Sequence, residues 1–365
     1  MARWRRITGA AGLLAGALAA GAGAAIAAEK VAVGRQRLRP DPEAAEPLGE
    51  LRGRALTVLA DDGAALHVEI DGPDDAAVTV IFCHGYTLNS DCWHYQRRDL
   101  GGLGRLVFWD QRGHGRSGRS IPEHVSIDQL GADLYSVLRA VAPGRGPVVL
   151  VGHSMGGMAI MALAGLHPGL FGTKVIGAVL ISTAASGIDP TGWLPGPLRP
   201  VARQITPPVL RGAARGRPAA LVERARQAAG DLAFLSTRYI AFGDGRISPA
   251  VVDFLELMIR ATPVDVVAGF YLALLDHDER DALPAVGRVP VLVLAGERDR
   301  LIPARITEQL AAGIPGAELV RLPGAGHVVI LERPAEVNEA ITRLVGEAVA
   351  GGALNGRSRR PRAVQ

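Results

Sequence analysis

Between residues 77 and 327 the chain carries six short runs of consecutive apolar, often β-branched residues. They are AVTVIFCHG (77–85), RLVFWDQRG (105–113), GPVVLVGHS (146–154), VIGAVLIST (175–183), VPVLVLAGERD (289–299) and AELVRLPGAGH (317–327). Apolar residues on both alternating faces predict strands buried on both sides. Between the runs the apolar positions recur every three or four residues, as in SIDQLGADLYSVLRAVA, MGGMAIMALAGLHP and RPAEVNEAITRLVGEAV. Those stretches predict helices. Strand alternating with helix predicts an α/β fold, a mostly parallel, doubly wound sheet with helices on both faces. Upstream, RALTVLADDGAALHVEIDG alternates in two runs around Asp61-Asp62-Gly63 and predicts a hairpin.

One interval breaks the rhythm. Residues 184–286 hold a Pro/Gly-rich start, GIDPTGWLPGPLRP, and then helical patterns only. Ser248-Pro249 and Thr262-Pro263 read as pairs of N-cap and first helical residue. The expected organisation is a core of residues 51–183 and 287–348, with 184–286 inserted as a helical cap. Trp193, Phe234, Phe254, Phe270 and Tyr271 are its large apolar residues, and a subset of them is expected to line a pocket.

The ends differ from the body. MARWRR precedes 22 residues without a charge, and Ala25, Ile26 and Ala27 form an A-x-A pattern before Glu29. That layout makes residues 1–40 a signal-peptide-like leader or, alternatively, a membrane anchor. Export or membrane association is therefore the expected location, with a cytoplasmic protein as the alternative. Residues 351–365, GGALNGRSRRPRAVQ, read as a disordered basic tail. The formal net charge of +4 combines +6 in residues 1–40, +4 in residues 351–365 and −6 between them. A basic balance confined to the ends gives no reason to expect a nucleic-acid partner. The chain has no zinc-type Cys/His spacing, P-loop or dinucleotide fingerprint, so neither metal nor cofactor is expected. Of the two cysteines, Cys83 reads as a small buried hydrophobe. A bridge to Cys92 is open.

The chemistry gathers where the third run meets a helix. Gly152-His153-Ser154-Met155-Gly156 fits G-x-S-x-G, a sharp strand-to-helix turn that pushes the serine out above the sheet. A plain glycine-rich turn would look the same in a chain with 46 glycines. Two downstream residues favour the chemical reading. Asp299 follows the fifth run and His327 the sixth, so both fall at strand carboxyl ends, in the order nucleophile, orienting acid, base. Ser154, Asp299 and His327 are thus the candidate catalytic residues. Glu297 is a rival carboxylate read as a surface residue, and His153 is expected to pack the turn. The backbone N–H groups of Tyr86 and Met155 are the candidate oxyanion donors. DQRGHGRSG (110–118) is read as structural, with Asp110 and Arg112 pairing or capping within their loop.

HGY, DQRGHGRSG, GHSMGG, GERDRLIP and GAGH, in that order, resemble the α/β-hydrolase fold superfamily over residues 51–348. The resemblance implies the same triad and oxyanion donors. The superfamily's epoxide hydrolases and haloalkane dehalogenases carry Asp where this chain has Ser154. Its carbon–carbon bond hydrolases usually have a longer glycine pattern after HG, where this chain has Tyr86. The expected activity is a cofactor-free serine hydrolase acting on a small hydrophobic carboxylic ester. An acyltransferase, a perhydrolase or a carbon–carbon bond hydrolase on the same triad is the alternative. A non-catalytic binding protein is disfavoured because all three residues are kept.

Overall fold

The computed structural model describes residues 38–119, 121–144, 146–188, 230–244 and 246–358, with the single positions 34, 208 and 212. The leader is therefore outside the described residues up to residue 37, position 34 excepted, as are Trp193 and the Phe234 side chain.

Eight strands form one sheet: β1 (Arg54–Leu59), β2 (Ala65–Asp71), β3 (Thr79–Cys83), β4 (Arg105–Trp109), β5 (Val148–His153), β6 (Val175–Ile181), β7 (Val291–Gly296) and β8 (Glu318–Leu322). Their spatial order is β1-β2-β4-β3-β5-β6-β7-β8. β2 runs antiparallel to both β1 and β4, and every other pairing is parallel. The β1–β2 hairpin turns through Gly63 at φ 85°.

Among the described residues the α-helices with defined bounds are α1 (His94–Asp99), α2 (Ile127–Val141), α3 (Met155–Leu166), α4 (Gly230–Ala241), α5 (Pro249–Ala261), α6 (Val264–Asp276), α7 (Leu283–Val286), α8 (Ala304–Gly313), α9 (Val329–Glu332) and α10 (Pro334–Ser358). Every residue of β3, β5 and β7 is buried, which is why their sequences are continuously apolar. The two-residue period of a strand divides them between two apolar layers. Ile81 and Cys83 face the layer containing Leu134 and Met158, on α2 and α3. Val80 and Phe82 face the layer containing Ile330 and Ile341, on α9 and α10. Cys83 and Cys92 are both buried free thiols.

After β3 the chain steps to β4 on one side and then crosses to β5 on the other. That reversal opens a crevice at the carboxyl ends of β3 and β5, where open α/β sheets place their ligands. Helices α4, α5 and α6 lie in the chain between β6 and β7. Ser248-Pro249 opens α5 as the sequence suggests. Thr262 does not cap α6: Pro263 holds ψ 145°, so it is the N-cap and Val264 the first helical residue. The Thr262 hydroxyl donates instead to the Thr87 carbonyl at 3.0 Å.

Residues 41–50 belong to neither the expected leader nor the expected core, and part of the C-terminal tail departs from expectation. Residues 41–50 pack on the body, through Asp41 bonded to the Ser248 hydroxyl and Glu46 bonded to His94 at 2.8 Å and Arg98 at 2.9 Å. Helix α10 runs on to Ser358 and takes in residues 351–358 of the tail read as disordered. Extending a formed helix is far easier than nucleating one, and Ala353 and Leu354 are good helix formers. Among the described residues no single helix is long and apolar enough to cross a membrane.

Candidate functional site

Ser154 stands at the corner between β5 and α3 with φ 52° and ψ −118°, a conformation side chains rarely adopt. The corner is possible because its neighbours are small. A Cβ on Gly152 would lie 2.6 Å from the Gly156 carbonyl oxygen, and one on Gly156 would overlap the Cys83 carbonyl. The Ser154 N–H donates to the Ile181 carbonyl at 2.8 Å, and the Thr183 hydroxyl donates to the Ser154 carbonyl at 2.8 Å. Both bonds fix the corner to the end of β6.

The side chain meets two residues from distant loops. The Ser154 hydroxyl lies 3.0 Å from His327 Nε2, and His327 Nδ1 lies 2.8 Å from Asp299 Oδ2. Since the carboxylate only accepts, the Nδ1–H donates to it, leaving Nε2 free to take the serine proton. The other Asp299 oxygen accepts the N–H groups of Leu301 and Ile302, each at 2.8 Å. All three side chains are buried. Glu297, the rival carboxylate, is exposed.

His153 does pack the turn, and it also reaches the partner loop. Its Nε2–H donates to the His327 carbonyl at 3.0 Å. Burial pushes its pKa down to about 3, so the ring is a neutral strut.

The loop after β3 is held from the side. The Gln111 N–H donates to His84 Nε2 at 2.8 Å, which leaves the Nδ1–H to donate to the Gly85 carbonyl at 2.8 Å. Gln111 Nε2 also donates to the His84 carbonyl at 2.5 Å. The DQRGHGRSG segment thus shapes the turn that carries Tyr86. Asp110 and Arg112 do not pair with each other. Asp110 accepts the N–H groups of Ser90 at 2.7 Å and Arg116 at 2.8 Å, while Arg112 turns to Asp133 and Asp62. His114 is buried and neutral, its pKa pushed down to about 3 by burial, and its Nδ1 lies 3.0 Å from the Arg112 carbonyl oxygen. The Tyr86 phenol donates to the Val267 carbonyl at 2.5 Å, tying this loop to α6. Met155 opens α3, so its N–H belongs to the first turn, whose donors have no intrahelical acceptor.

Above Ser154 lies a cavity of about 340 Å³. Its walls include Tyr86, Leu88, Met158, Ile188, Leu255, Ile259, Tyr271 and Leu274, with Ser154 and His327 at its base. Among the described residues no Asp, Glu, Lys or Arg lines it. Of the aromatic residues singled out in the insertion, only Tyr271 among the described side chains reaches it. Phe254 and Phe270 are buried in the two core layers. A second cavity of about 380 Å³, rimmed by Asp128, Asp265, Asp276 and Glu279, contains none of the three hydrogen-bonded residues. Among the described residues no cluster of three or more His, Cys, Asp or Glu side chains is arranged to hold a metal ion.

Sequence reasoning did not find Glu332. Its buried carboxylate accepts backbone N–H groups from Gly243, Asp244 and Gly326. Nothing local marks it, because two of those partners lie far upstream.

Comparison with known proteins agrees with this architecture. The sequence model of the alpha/beta hydrolase family matches residues 80–340. The AB hydrolase superfamily protein YisY of Bacillus subtilis is 29% identical over 266 residues, 72% of this chain and 90% of that protein. Lipase LipV of Mycobacterium tuberculosis is 30% identical over 297 residues, 77% of this chain and 98% of that one. The solved structure of a thermophilic esterase from Thermogutta terrifontis superposes with a TM-score of 0.64 at 24% identity, covering 81% of this chain and 99% of that chain.

Proposed function

The chain belongs to the alpha/beta hydrolase family and is a hydrolase, and we propose that it cleaves uncharged carboxylic esters through an acyl intermediate on Ser154. The observation that carries this reading is the continuous path from the Ser154 hydroxyl through His327 to Asp299 at the base of an apolar cavity that no Asp, Glu, Lys or Arg lines among the described residues.

In this mechanism His327 Nε2 takes the hydroxyl proton as Ser154 Oγ attacks the ester carbonyl carbon. The imidazolium that forms is held by Asp299, whose second oxygen is already fixed by two backbone N–H groups. The negative charge that develops on the carbonyl oxygen is met by the backbone N–H groups of Tyr86 and Met155. His327 then gives its proton to the departing alkoxide. Water, deprotonated by the same Nε2, attacks the acyl group, and Ser154 leaves with the proton restored. The helices between β6 and β7 act as the cap over this reaction: Leu255, Ile259, Tyr271 and Leu274 supply the apolar wall on which the substrate rests.

Charge sets the substrate class. A substrate bearing a carboxylate or ammonium near its ester would meet no charged partner there among the described residues, and desolvating it unpaired is strongly unfavourable. The resemblance to a lipase fits an apolar acyl group. The cavity lies at the small end of ligand sites, about 300–1,000 Å³, and favours short and medium chains.

The test is labelling by a fluorophosphonate together with turnover of p-nitrophenyl esters of increasing chain length, neutral and carboxylate-bearing. Neutral esters should be hydrolysed and the charged ones spared. Ser154→Ala should abolish labelling and lower kcat on the order of 10⁴-fold or more. A wild-type protein that neither labels nor turns over any ester, or a Ser154→Ala protein that labels equally, would overturn the proposal.

A further inference from the structure

The loop carrying His327 is fastened less to the sheet than to the end of a helix from the insertion. The N–H groups of His327 and Val328 both donate to the Ala241 carbonyl at the end of α4, at 2.8 and 3.0 Å. Glu332 draws the same two segments together. One of its oxygens accepts the Gly326 N–H at 2.7 Å, and the other accepts the Asp244 N–H at 2.7 Å. The Gly243 N–H lies across both, at 3.1 and 3.2 Å. Glu332 is only 8% exposed. Buried backbone N–H groups with no other acceptor would be left unpaired without it.

The loop carrying Asp299 grips the same helix end. Arg300 Nη1 donates to the carbonyls of Tyr239 at 2.6 Å and Phe242 at 2.9 Å. The Arg298 N–H donates to the Ala325 carbonyl at 2.8 Å, joining the two loops directly. Residues 239–244 are therefore a common anchor for the acid and the base, and Ala241 itself lines the cavity.

We infer that Glu332 is a positioning residue for His327: by clamping Gly326 to Gly243-Asp244 it sets where the imidazole stands relative to Ser154. The inference rests on His327 serving as the base, as proposed above. Its physical reason is the steepness of proton transfer with geometry. The Gly326 N–H is one residue from His327, so loosening that bond lets the ring swing away from the 3.0 Å contact with the serine hydroxyl. Through the shared anchor, contacts made by substrate against Ala241 bear on the same loop.

The test uses the full chain with Glu332→Gln, and with Arg300→Gln, which removes a half-buried side chain and leaves the core intact. Two readouts are taken on protein shown to be folded: kcat and KM for a p-nitrophenyl ester, and ¹⁵N-histidine NMR of the His327 ring nitrogens. Glu332→Gln should lower kcat about 10-fold to 100-fold while KM stays within about twofold, since the interaction lost acts on the reacting geometry and not on binding. The His327 nitrogens should move from a single Nδ1–H tautomer toward an average of both. Arg300→Gln should move both readouts the same way by less, and it decides the matter if Glu332→Gln does not fold. A folded variant with wild-type kcat and wild-type ring nitrogens overturns the inference, whatever its loss of thermal stability. If wild type turns over no ester, the proposed function fails, and the ring nitrogens alone still decide whether Glu332 holds His327.

Discussion

Ser154 is projected out from the sheet, beneath the cavity, at the cost of backbone strain. A non-glycine residue at φ 52° is destabilised by about 1–3 kcal/mol and persists only where its surroundings over-determine it. Here the determinants are the bonds to Ile181 and Thr183 and the bare Cα of Gly156 against the Cys83 carbonyl. Gly156→Ala should push the end of β3 away from α3, destabilising the protein by about 1–3 kcal/mol and displacing the loop that carries Tyr86. Urea unfolding measures the first effect. The rate of fluorophosphonate labelling in the folded fraction measures the second, and an unchanged rate would detach this corner from the chemistry. Much at this scale is legible in the sequence. Glycine spacing marks Ser154, and a place just after a strand marks Asp299 and His327. Glu332 is illegible because its role is a distance relation. In HVVILERP it looks like any acidic residue near a helix start, and Gly243-Asp244 show no local sign of needing an acceptor.

At the scale of elements, the loop after β4 works as a fastener between three of them. Arg112 has no exposed side-chain surface, and it reaches Asp133 on α2 with two bonds of 2.6 Å. Its Nη1 reaches Asp62 in the β1–β2 turn at 2.7 Å. The hydrogen bonds from Arg112 hold the Asp62 carboxyl well below its ordinary pKa. The sequence suggests that Asp110 and Arg112 pair or cap within the loop, and Asp110 does cap it by accepting the Arg116 N–H, but the two do not pair. The structure separates them because Asp110 is saturated by the N–H groups of its own loop and of Ser90. Pairing across elements cannot be read from proximity in the chain. The strands themselves could be read, since burial on both faces writes a continuous apolar run. The helices of the insertion could be read as helices but not placed, since their apolar faces do not say which partner they meet. Arg112→Ala should destabilise the protein by about 3–5 kcal/mol by leaving Asp133 buried and unpaired. Replacing both, Arg112→Met with Asp133→Leu, should recover most of that loss in urea unfolding. A double variant no more stable than Arg112→Ala would show that the pair contributes more than mutual neutralisation.

For the molecule as a whole, buried histidines set the response to acid. Burial lowers the pKa of His84, His114, His153 and His277, to about 3 for His114 and His153. The unfolded chain binds these protons below about pH 6.5, the ordinary histidine value, and the folded chain does not. The stability they support is thus complete above pH 6.5 and is lost as pH falls from there toward 3. Each such group contributes a slope of at most about 1.4 kcal/mol per pH unit. Glu279 acts in the opposite sense. Burial, and then the nearby Asp128 carboxylate, raise its pKa to about 7, so the folded chain keeps a proton that the unfolded chain has released. Its contribution is present at low pH and is lost as pH rises from the ordinary glutamate value through 7. Burial also raises the pKa of Asp71, Asp91 and Asp133 from the lower ordinary aspartate value, so these carboxyls act with Glu279, and the expected outcome is that the four imidazoles outweigh them between about pH 4.5 and 6.5. Unfolding free energy should rise with pH across that window. His114→Asn, which keeps a donor for the Arg112 carbonyl but cannot titrate, should flatten the rise. Glu279→Gln, which removes one opposing group, should steepen it. Urea titrations at half-unit pH steps distinguish these outcomes. A wild-type curve that falls across the window, or a His114→Asn curve as steep as wild type, would mean that the buried rings do not govern acid unfolding.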